Sequence, residues 1–147
     1  MTSLTGWDIS PTSIEATRAA VLRMKVSQPV DLAVNDILQP QGEACRFDVV
    51  TMCEVLEHLE KPEAALTAVR RLMAPGGRLF VSVPINSPAP DHIYLLRTPE
   101  EAAELLQRNG FDILGADSFP TGGYALERAK RLGVTISCAL IAESAAD

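Results

Sequence analysis

The sequence predicts an α/β fold built on a mostly parallel β-sheet. Short apolar segments typical of buried strands alternate along the chain with segments of helical spacing, which is the pattern of repeated β-α-β units. The run Phe47–Cys53 is almost continuously apolar, as expected for a parallel strand covered on both faces. The last two predicted strands, Phe111–Phe119 and Val134–Glu143, have little helix between them, so one of them is predicted to be antiparallel at an edge.

The first quarter of the chain predicts two strands joined by a capped helix. The first strand, Leu4–Trp7, ends at Asp8, and the second, Pro29–Val34, ends at a polar Asn-Asp pair. Between them Ser10 or Thr12 is predicted to cap a helix, because a hydroxyl there can accept from a free amide of the first turn. A loop is predicted to follow the second strand.

The middle of the chain predicts the elements that follow the buried strand. Helical spacing continues over Glu54–Glu60, and a helix restarts at Pro62 and runs to about Met73. The Pro-Gly-Gly turn Ala74–Gly77 ends it, and Arg78–Pro84 is the next strand. A further helix begins at a Thr-Pro-Glu-Glu sequence with an N-cap threonine, Thr98, and proline in the first turn.

Composition limits the possible partners. The 147 residues are 47% hydrophobic, enough for one domain over residues 1–147 with a buried core. A formal net charge of −6 makes nucleic acid an unexpected partner. No apolar run approaches the length of a membrane helix, and the first residues do not resemble a secretory signal. Since the three cysteines predict no disulfide framework, we also expect a reducing, cytoplasmic environment.

The three cysteines do not form a recognisable site. Cys45, Cys53 and Cys138 are far apart and contain no C-x-x-C pair, so neither a zinc knuckle nor a disulfide framework is predicted. Cys53 and Cys138 lie in apolar runs and are predicted to be core residues.

Several segments taken together resemble class I S-adenosylmethionine-dependent methyltransferases. FDVVTMCEVLEHLEKPEAALTAVRRLMAPGGRLFVSVP, Phe47–Pro84, is similar to the fourth strand, the following helices, the glycine turn and the fifth strand of that family. Asp91–Ile113 continues the resemblance, Thr5–Ser13 is similar to the second strand with its ribose-binding acid, and Val34–Ile37 to the end of the third. The resemblance implies methyl transfer from S-adenosylmethionine to a hydroxyl or amine of a small molecule.

One family feature is not found in this sequence. The family's first strand carries a D-x-G-x-G loop, and none of the nine glycines forms one. We therefore expect a truncated Rossmann-like sheet that lacks its central first strand. The second and fourth family strands could pair directly, a partner chain or second copy could supply the missing unit, or the natural chain could be longer. The enzyme would then be split or oligomeric; the alternative is a non-catalytic scaffold or regulatory subunit.

The resemblance also implies a set of cofactor contacts. Asp8 would accept hydrogen bonds from the ribose hydroxyls and Asp36 from the adenine amino group. The other contacts implied are the apolar or small side chains Ile9, Ile37 and Cys53, each at or next to the end of a predicted strand.

The sequence Glu54-x-x-Glu57-His58, with the later His92, suggests the reacting side of the site. The spacing i, i+3, i+4 predicts that the first three share one helix face at the carboxyl end of a buried strand, where ligands bind in open α/β sheets. His58, with His92 and Glu57, could provide general-base catalysis. The pattern is also similar to the divalent-metal ligands of small-RNA 2′-O-methyltransferases and ubiquinone-pathway O-methyltransferases. A purely structural role is the third possibility. Asp91 is predicted to orient the ring of His92.

Overall fold

The computed structural model describes residues 3–39 and 46–145, and these two ranges form two compact units. Cys45 and most of the loop predicted after the second strand lie outside the described residues. Among those described, no helix is both long and apolar enough to cross a membrane.

The first unit is a single β-α-β unit. Strand β1, Leu4–Asp8, and strand β2, Val30–Val34, are parallel and paired in register, with helix α1, Pro11–Met24, between them. Ser10, one of the two predicted caps, is the N-cap, and its hydroxyl accepts from the Ser13 amide at 3.2 Å. Because the strands are parallel, both carboxyl ends lie at the same edge of this two-stranded sheet.

The second unit contains a four-stranded sheet with helices between its strands. Its strands and helices are β3 Phe47–Cys53, α2 Pro62–Leu72, β4 Met73–Ile85, α3 Pro99–Arg108, β5 Phe111–Pro120, α4 Leu126–Leu132 and β6 Ile136–Ser144. The strand order is β3-β4-β6-β5. Strand β3 is parallel to β4, and β6 is antiparallel to both β4 and β5.

The predicted mixed sheet is confirmed, but the position of the antiparallel strand differs from the prediction. We expected the antiparallel strand at an edge, and β6 instead lies between β4 and β5, with β5 at the edge. Alternate residues of β6, from Ile136 to Ala142, are at most 2% exposed, in agreement with a strand that has a neighbour on each side.

The core of the second unit lies on one face of its sheet. Leu79, Val81, Val83 and Ile85 of β4 lie beside the buried residues of β6 and are at most 1% exposed. Helix α3 packs on β5 and β6 through its buried leucines, Leu105 and Leu106. Helix α3 is capped as predicted, since the Thr98 hydroxyl accepts from the Glu101 amide at 3.2 Å.

The prediction of a helix over Glu54–Glu60 is wrong. Only Leu56–His58 is helical, as one 3₁₀ turn, because Glu54 has a left-handed backbone with φ of 53° and Leu59 is extended. The turn predicted at Ala74–Gly77 is part of the observed span of β4. The pairing there jumps from Phe47↔Met73 to Val49↔Arg78, so the Pro-Gly-Gly segment forms an irregularity in that strand.

Strands β1 and β3 each have one pairing partner among the described residues. Strand β1 pairs with β2 and β3 with β4, in two separate sheets. The direct pairing of the second and fourth family strands, one of the three expected outcomes, would join the two units and stays a prediction. Each of these strands presents an outer edge of backbone amides and carbonyls, a surface that favours pairing with another strand.

The two described cysteines differ in exposure. Cys138 is 1% exposed, which confirms the prediction that it is a core residue, and burial raises the pKa of its thiol. Cys53 is exposed, so the prediction that it is a core residue is wrong. Cys53 is the last residue of β3, and its side chain lies on the face opposite to the core.

The difference in exposure between the two cysteines predicts that an alkylating reagent modifies Cys53 selectively. In the native protein Cys53 is expected to react with iodoacetamide more than about tenfold faster than Cys138, because Cys138 is both shielded and held in the unreactive thiol form. Mass spectrometry of tryptic peptides over a time course measures both rates in one sample. The unfolded protein provides the control, in which the two rates should converge. Equal native rates would contradict the buried position of Cys138.

Candidate active site

Two chain segments meet at the carboxyl end of β3 and β4. The first is the 3₁₀ turn Leu56–His58, which Leu56 anchors in the core at 1% exposure. The second is the loop 86–98 that follows β4. The Glu57 carbonyl accepts hydrogen bonds from the amides of Ile93 and Tyr94 at 2.7 and 2.9 Å, so the turn fixes the middle of the loop.

The two histidine rings of the protein are each oriented by a backbone carbonyl of this loop. His58 Nδ1 lies 2.8 Å from the Asp91 carbonyl oxygen, and His92 Nδ1 lies 2.6 Å from the Ser87 carbonyl oxygen. A carbonyl only accepts, so each Nδ1 carries a proton and donates it. In the neutral rings each Nε2 therefore keeps a free lone pair. The ring centroids are 5.1 Å apart in an edge-to-face arrangement.

Glu57 is a buried carboxyl group without a hydrogen-bond donor. Its side chain is 2% exposed, and neither carboxylate oxygen has a hydrogen-bond partner among the described residues. His58 Nε2 lies 3.8 Å from Glu57 Oε1. Burial raises the pKa of Glu57 above its usual 4.5, and the charge of Glu54 adds to this, whereas the nearby backbone amide of Glu57 itself and the two histidines act in the opposite direction.

One ligand atom each from Glu57, His58 and His92 lies within 4.8 Å of the others. These three residues are called the Glu57 cluster below. A carboxylate and two Nε2 lone pairs form a group of acceptors with no donor between them, which is unfavourable unless a proton or a cation is shared. The cluster can therefore either bind a cation or take up a proton.

Glu54, the fourth residue of the predicted ligand set, lies outside this group. Its Oε1 accepts from the Ser82 hydroxyl at 3.0 Å, and its amide donates to the Ser82 carbonyl. The left-handed backbone of Glu54 turns the chain toward β4 at this point. The helical spacing that placed Glu54 on one face with Glu57 and His58 is absent here.

The structure also corrects the predicted role of Asp91. We expected Asp91 to orient the ring of His92, its neighbour in sequence. Asp91 instead contacts His58, through its carbonyl and through a carboxylate oxygen 3.7 Å from His58 Nδ1. Sequence reasoning did not identify the Ser87 carbonyl either, since a backbone acceptor has no residue-type signal.

In the first unit, the two predicted cofactor carboxylates lie at one edge. Asp8 ends β1, and Asp36 follows β2 by two residues. The Asn35 amide donates to the Asp8 carbonyl at 3.1 Å and so joins the two strand ends. Each aspartate also closes a local turn through one oxygen: Asp8 Oδ1 accepts from Ser10, and Asp36 Oδ1 from Leu38. No described residue donates a hydrogen bond to the other oxygen of either carboxylate, so that oxygen can accept from a ligand.

The remaining predicted cofactor residues are accessible. Ile9 is 71% exposed and Ile37 is half-buried, in the segments that carry Asp8 and Asp36. Cys53, in the second unit, is exposed at the end of β3. An exposed isoleucine beside a strand end provides an apolar surface on which a flat ring can pack.

Ligands of open α/β sheets bind at the carboxyl ends of the strands, and both sheets of this chain carry polar side chains there. The family model of a methyltransferase domain matches residues 2–79, more than half of the chain. The chain belongs to the class I S-adenosylmethionine-dependent methyltransferase family, as the sequence resemblance predicted, and S-adenosylmethionine is the cofactor of that family.

Individual relatives agree with this assignment. A ubiquinone biosynthesis O-methyltransferase of Alkalilimnicola ehrlichii is 30% identical over 109 residues, covering 74% of this chain and 43% of that protein. The chain thus spans less than half the length of the curated relatives that it matches.

Solved structures share the fold. The [4+2]-cyclase SpnF superimposes with a TM-score of 0.77 at 17% identity, covering 97% of this chain and 67% of SpnF. The N-methyltransferase NodS of Bradyrhizobium japonicum, in complex with S-adenosylhomocysteine, has a TM-score of 0.71 at 21% identity, covering 97% of this chain and 66% of NodS.

Proposed function

We propose that this chain is part of an S-adenosylmethionine-dependent methyltransferase that methylates a hydroxyl or amine of a small molecule. We further propose that the Glu57 cluster holds a divalent metal ion beside the methyl acceptor. The observation that carries the metal proposal is a buried carboxylate with no donor among the described residues, within 4.8 Å of one ring nitrogen of each of two histidines. The family assignment and the O-methyltransferase relative support a hydroxyl as the acceptor.

The donor set suits a divalent transition metal. Two imidazoles and one carboxylate bind ions such as Zn²⁺, Fe²⁺ or Mn²⁺. Each ring already donates its Nδ1 proton to a carbonyl, the arrangement that orients metal-binding histidines. Ligand atoms at about 2.1 Å from one ion are no more than about 4.2 Å apart. The cluster, at 4.8 Å, therefore needs a small contraction.

The proposed chemistry follows from these positions. A bound divalent ion would lower the pKa of a coordinated acceptor hydroxyl and so favour its attack on the methyl group. Glu57 and the histidines would hold the ion through fixed lone pairs, and the loop carbonyls of Ser87 and Asp91 keep both rings in the required tautomer. Positioning of the acceptor in line with the sulfonium is the other main contribution of the protein.

General-base catalysis by His58 is a second candidate for the same site. His58 Nε2 is a free proton acceptor, and the side chain is 39% exposed, so an acceptor molecule can reach it. A chelator separates the two mechanisms. Turnover that persists in excess EDTA, with no metal detected in the protein, supports His58 as base; loss of turnover that returns with Mn²⁺ supports the metal.

We propose that Asp8 and Asp36 bind the nucleoside part of S-adenosylmethionine. Two observations support this assignment. The parallel pairing of β1 and β2 brings both carboxylates to one edge, and an exposed isoleucine, Ile9, follows Asp8. Asp8 would accept from the ribose hydroxyls and Asp36 from the adenine amino group, each through the oxygen that its own turn does not use.

Asp8→Asn tests this assignment. The amide keeps the oxygen that accepts from Ser10 but loses the charge and one acceptor, so the affinity for S-adenosylhomocysteine is expected to fall at least about tenfold. Isothermal titration calorimetry measures the change. Asp31→Asn is the matched control, since Asp31 is an exposed aspartate of β2 in the same unit. Equal affinity of the Asp8 variant and the wild type would rule out the ribose contact.

We further propose that a second chain, or a second copy of this one, pairs with β1 and β3 along the side where no described strand lies. Strand β3 is parallel to β4 and apolar, yet Val49 in it is 61% exposed. Parallel strands are normally covered on both sides. Failure of the wild-type chain to bind S-adenosylhomocysteine, alone and at concentrations where it self-associates, would favour the alternative of a non-catalytic partner subunit.

A further inference from the structure

Two cavities of the second unit flank one residue, Asn86, at the end of β4. One cavity has a volume of about 230 Å³ and the other about 440 Å³, and both are lined by Asn86, Gly133 and Val134. Asn86 has a left-handed backbone with φ of 51°, its side-chain amide donates to the Gly133 carbonyl, and its backbone amide donates to the Leu96 carbonyl at 2.8 Å. The two cavities are called the Asn86 groove below.

The lining of the groove differs in charge from the rest of the protein. The chain carries 19 acidic and 13 basic residues, but neither cavity is lined by an acidic side chain, and the smaller one is lined by Arg97 and Lys130. Lys130 is neutralised by Glu100, at 2.8 Å, and Glu127, at 3.9 Å. The Arg97 guanidinium forms no ion pair with any of the described residues, so Arg97 is the cation available to a ligand.

The rest of the groove lining is partly apolar. Val134 and Ile136 provide apolar surface next to Arg97, and Pro88 and Tyr124 provide it in the larger cavity. An arginine fork binds a carboxylate through two parallel hydrogen bonds, which is a geometry that lysine cannot reproduce. The lining therefore suits a ligand with an apolar or aromatic body and one carboxylate.

The groove adjoins the Glu57 cluster along the chain. Ser87 lies between Asn86 and Pro88, both of which line the groove, and its carbonyl is the acceptor that orients His92. Neighbouring Cα atoms are only about 3.8 Å apart. A ligand in the groove therefore lies against the same backbone segment that positions a residue of the cluster.

We infer that the Asn86 groove binds the methyl acceptor and that Arg97 holds a carboxylate of that molecule. This inference rests on the proposed methyltransferase function, because it treats the neighbouring cluster as the reacting centre. The carboxylate at Arg97 would fix one end of the acceptor, and the apolar lining would orient its body toward the loop that carries His92.

Benzoate and benzamide form a suitable pair of probes, since they have the same shape and differ in charge. In ¹H–¹⁵N correlation spectra, benzoate is expected to shift the amides of Asn86 and Val134 in a saturable way, and benzamide to bind at least about tenfold more weakly. Arg97→Gln should weaken benzoate binding by roughly tenfold or more. Arg23→Gln, which removes an exposed arginine of the other unit, should leave it unchanged.

Equal binding of benzoate and benzamide, or equal binding of benzoate by the wild type and Arg97→Gln, would overturn the inference, as would the absence of any saturable shift. The titration needs neither metal nor S-adenosylmethionine. Separate titrations with Mn²⁺ and S-adenosylhomocysteine therefore distinguish failure of the groove assignment from failure of the proposed function. If both of these ligands bind and benzoate does not, the assignment of the groove fails and the proposed function stands.

Discussion

His92→Ala is expected to lower the affinity of the protein for Mn²⁺ by more than about 100-fold and to abolish metal-dependent methyl transfer. Changes to groups that only orient a metal ligand cost about 10- to 100-fold in affinity or activity, and His92 is proposed to be a ligand itself. Its loss leaves Glu57 and His58, too few protein ligands for a tight site. Electron paramagnetic resonance of the free ion during a Mn²⁺ titration measures the affinity directly.

The matched control for this experiment is Glu60→Gln. Glu60 is an exposed carboxylate two residues beyond His58, so its removal changes the local charge without touching the cluster. It should change the affinity less than about twofold, as expected for a screened surface charge. Equal losses in both variants would show that Mn²⁺ binds to general negative charge. An unchanged affinity in His92→Ala would remove His92 from the site.

Glu57→Gln is expected to stabilise the metal-free protein at pH 8 while it weakens metal binding. The carboxylate is buried, and neither of its oxygens accepts a hydrogen bond from the described residues. A buried unsatisfied polar group costs about 1–3 kcal/mol, and more when it is charged. The amide removes the charge with almost no change in shape, so the free energy of unfolding should rise by roughly 1–2 kcal/mol, as measured by urea titration.

The pH dependence of this gain follows from the raised pKa of Glu57. The folded state binds the proton more tightly than the unfolded state, whose value is near 4.5. The wild type therefore loses stability as the pH rises from about 4.5 through the folded pKa, and the full cost is present above it. The gain from Glu57→Gln should be smallest near pH 4.5 and largest at pH 8.

A decrease in stability on Glu57→Gln would indicate a different protonation state of the Glu57 cluster. A variant less stable than the wild type at pH 8 would mean that the carboxylate is paired with a protonated histidine, such as His58 at 3.8 Å. An added metal should reverse the order, since it binds the wild type and stabilises it by mass action. A substitution that improves stability and harms binding is typical of a residue retained for function.

Local patterns predicted most of the elements of this fold. The caps at Ser10 and Thr98 and the apolar strands follow from a few neighbouring residues. The position of β6 between β4 and β5 depends on long-range pairing, which a local pattern does not contain. The turn at Leu56–His58 differed from the predicted helix because the i, i+3, i+4 spacing does not reveal the left-handed backbone of Glu54.

The sequence predicted which residues of the candidate site lie together, but not the contacts that orient them. Glu57, His58 and His92 were expected together, and the structure brings their ligand atoms within 4.8 Å. The partner of Glu54 is a serine on a neighbouring strand, 28 residues away. The groups that orient both rings are backbone carbonyls, one of them 33 residues from His58. Such acceptors exist at every residue, so only the folded chain shows which ones are used.

The most direct test of the Glu57 cluster uses the fact that the protein has only two histidines. Long-range ¹H–¹⁵N correlation spectra of the imidazoles, recorded without metal at pH 8 and then with one equivalent of Zn²⁺, report the tautomer and the ligating atom of each ring. We predict that both rings carry the proton on Nδ1 without metal, and that both Nε2 resonances move to metal-bound positions at one equivalent. Rings protonated on Nε2, or Nε2 resonances that Zn²⁺ leaves unchanged, would contradict the proposed metal site.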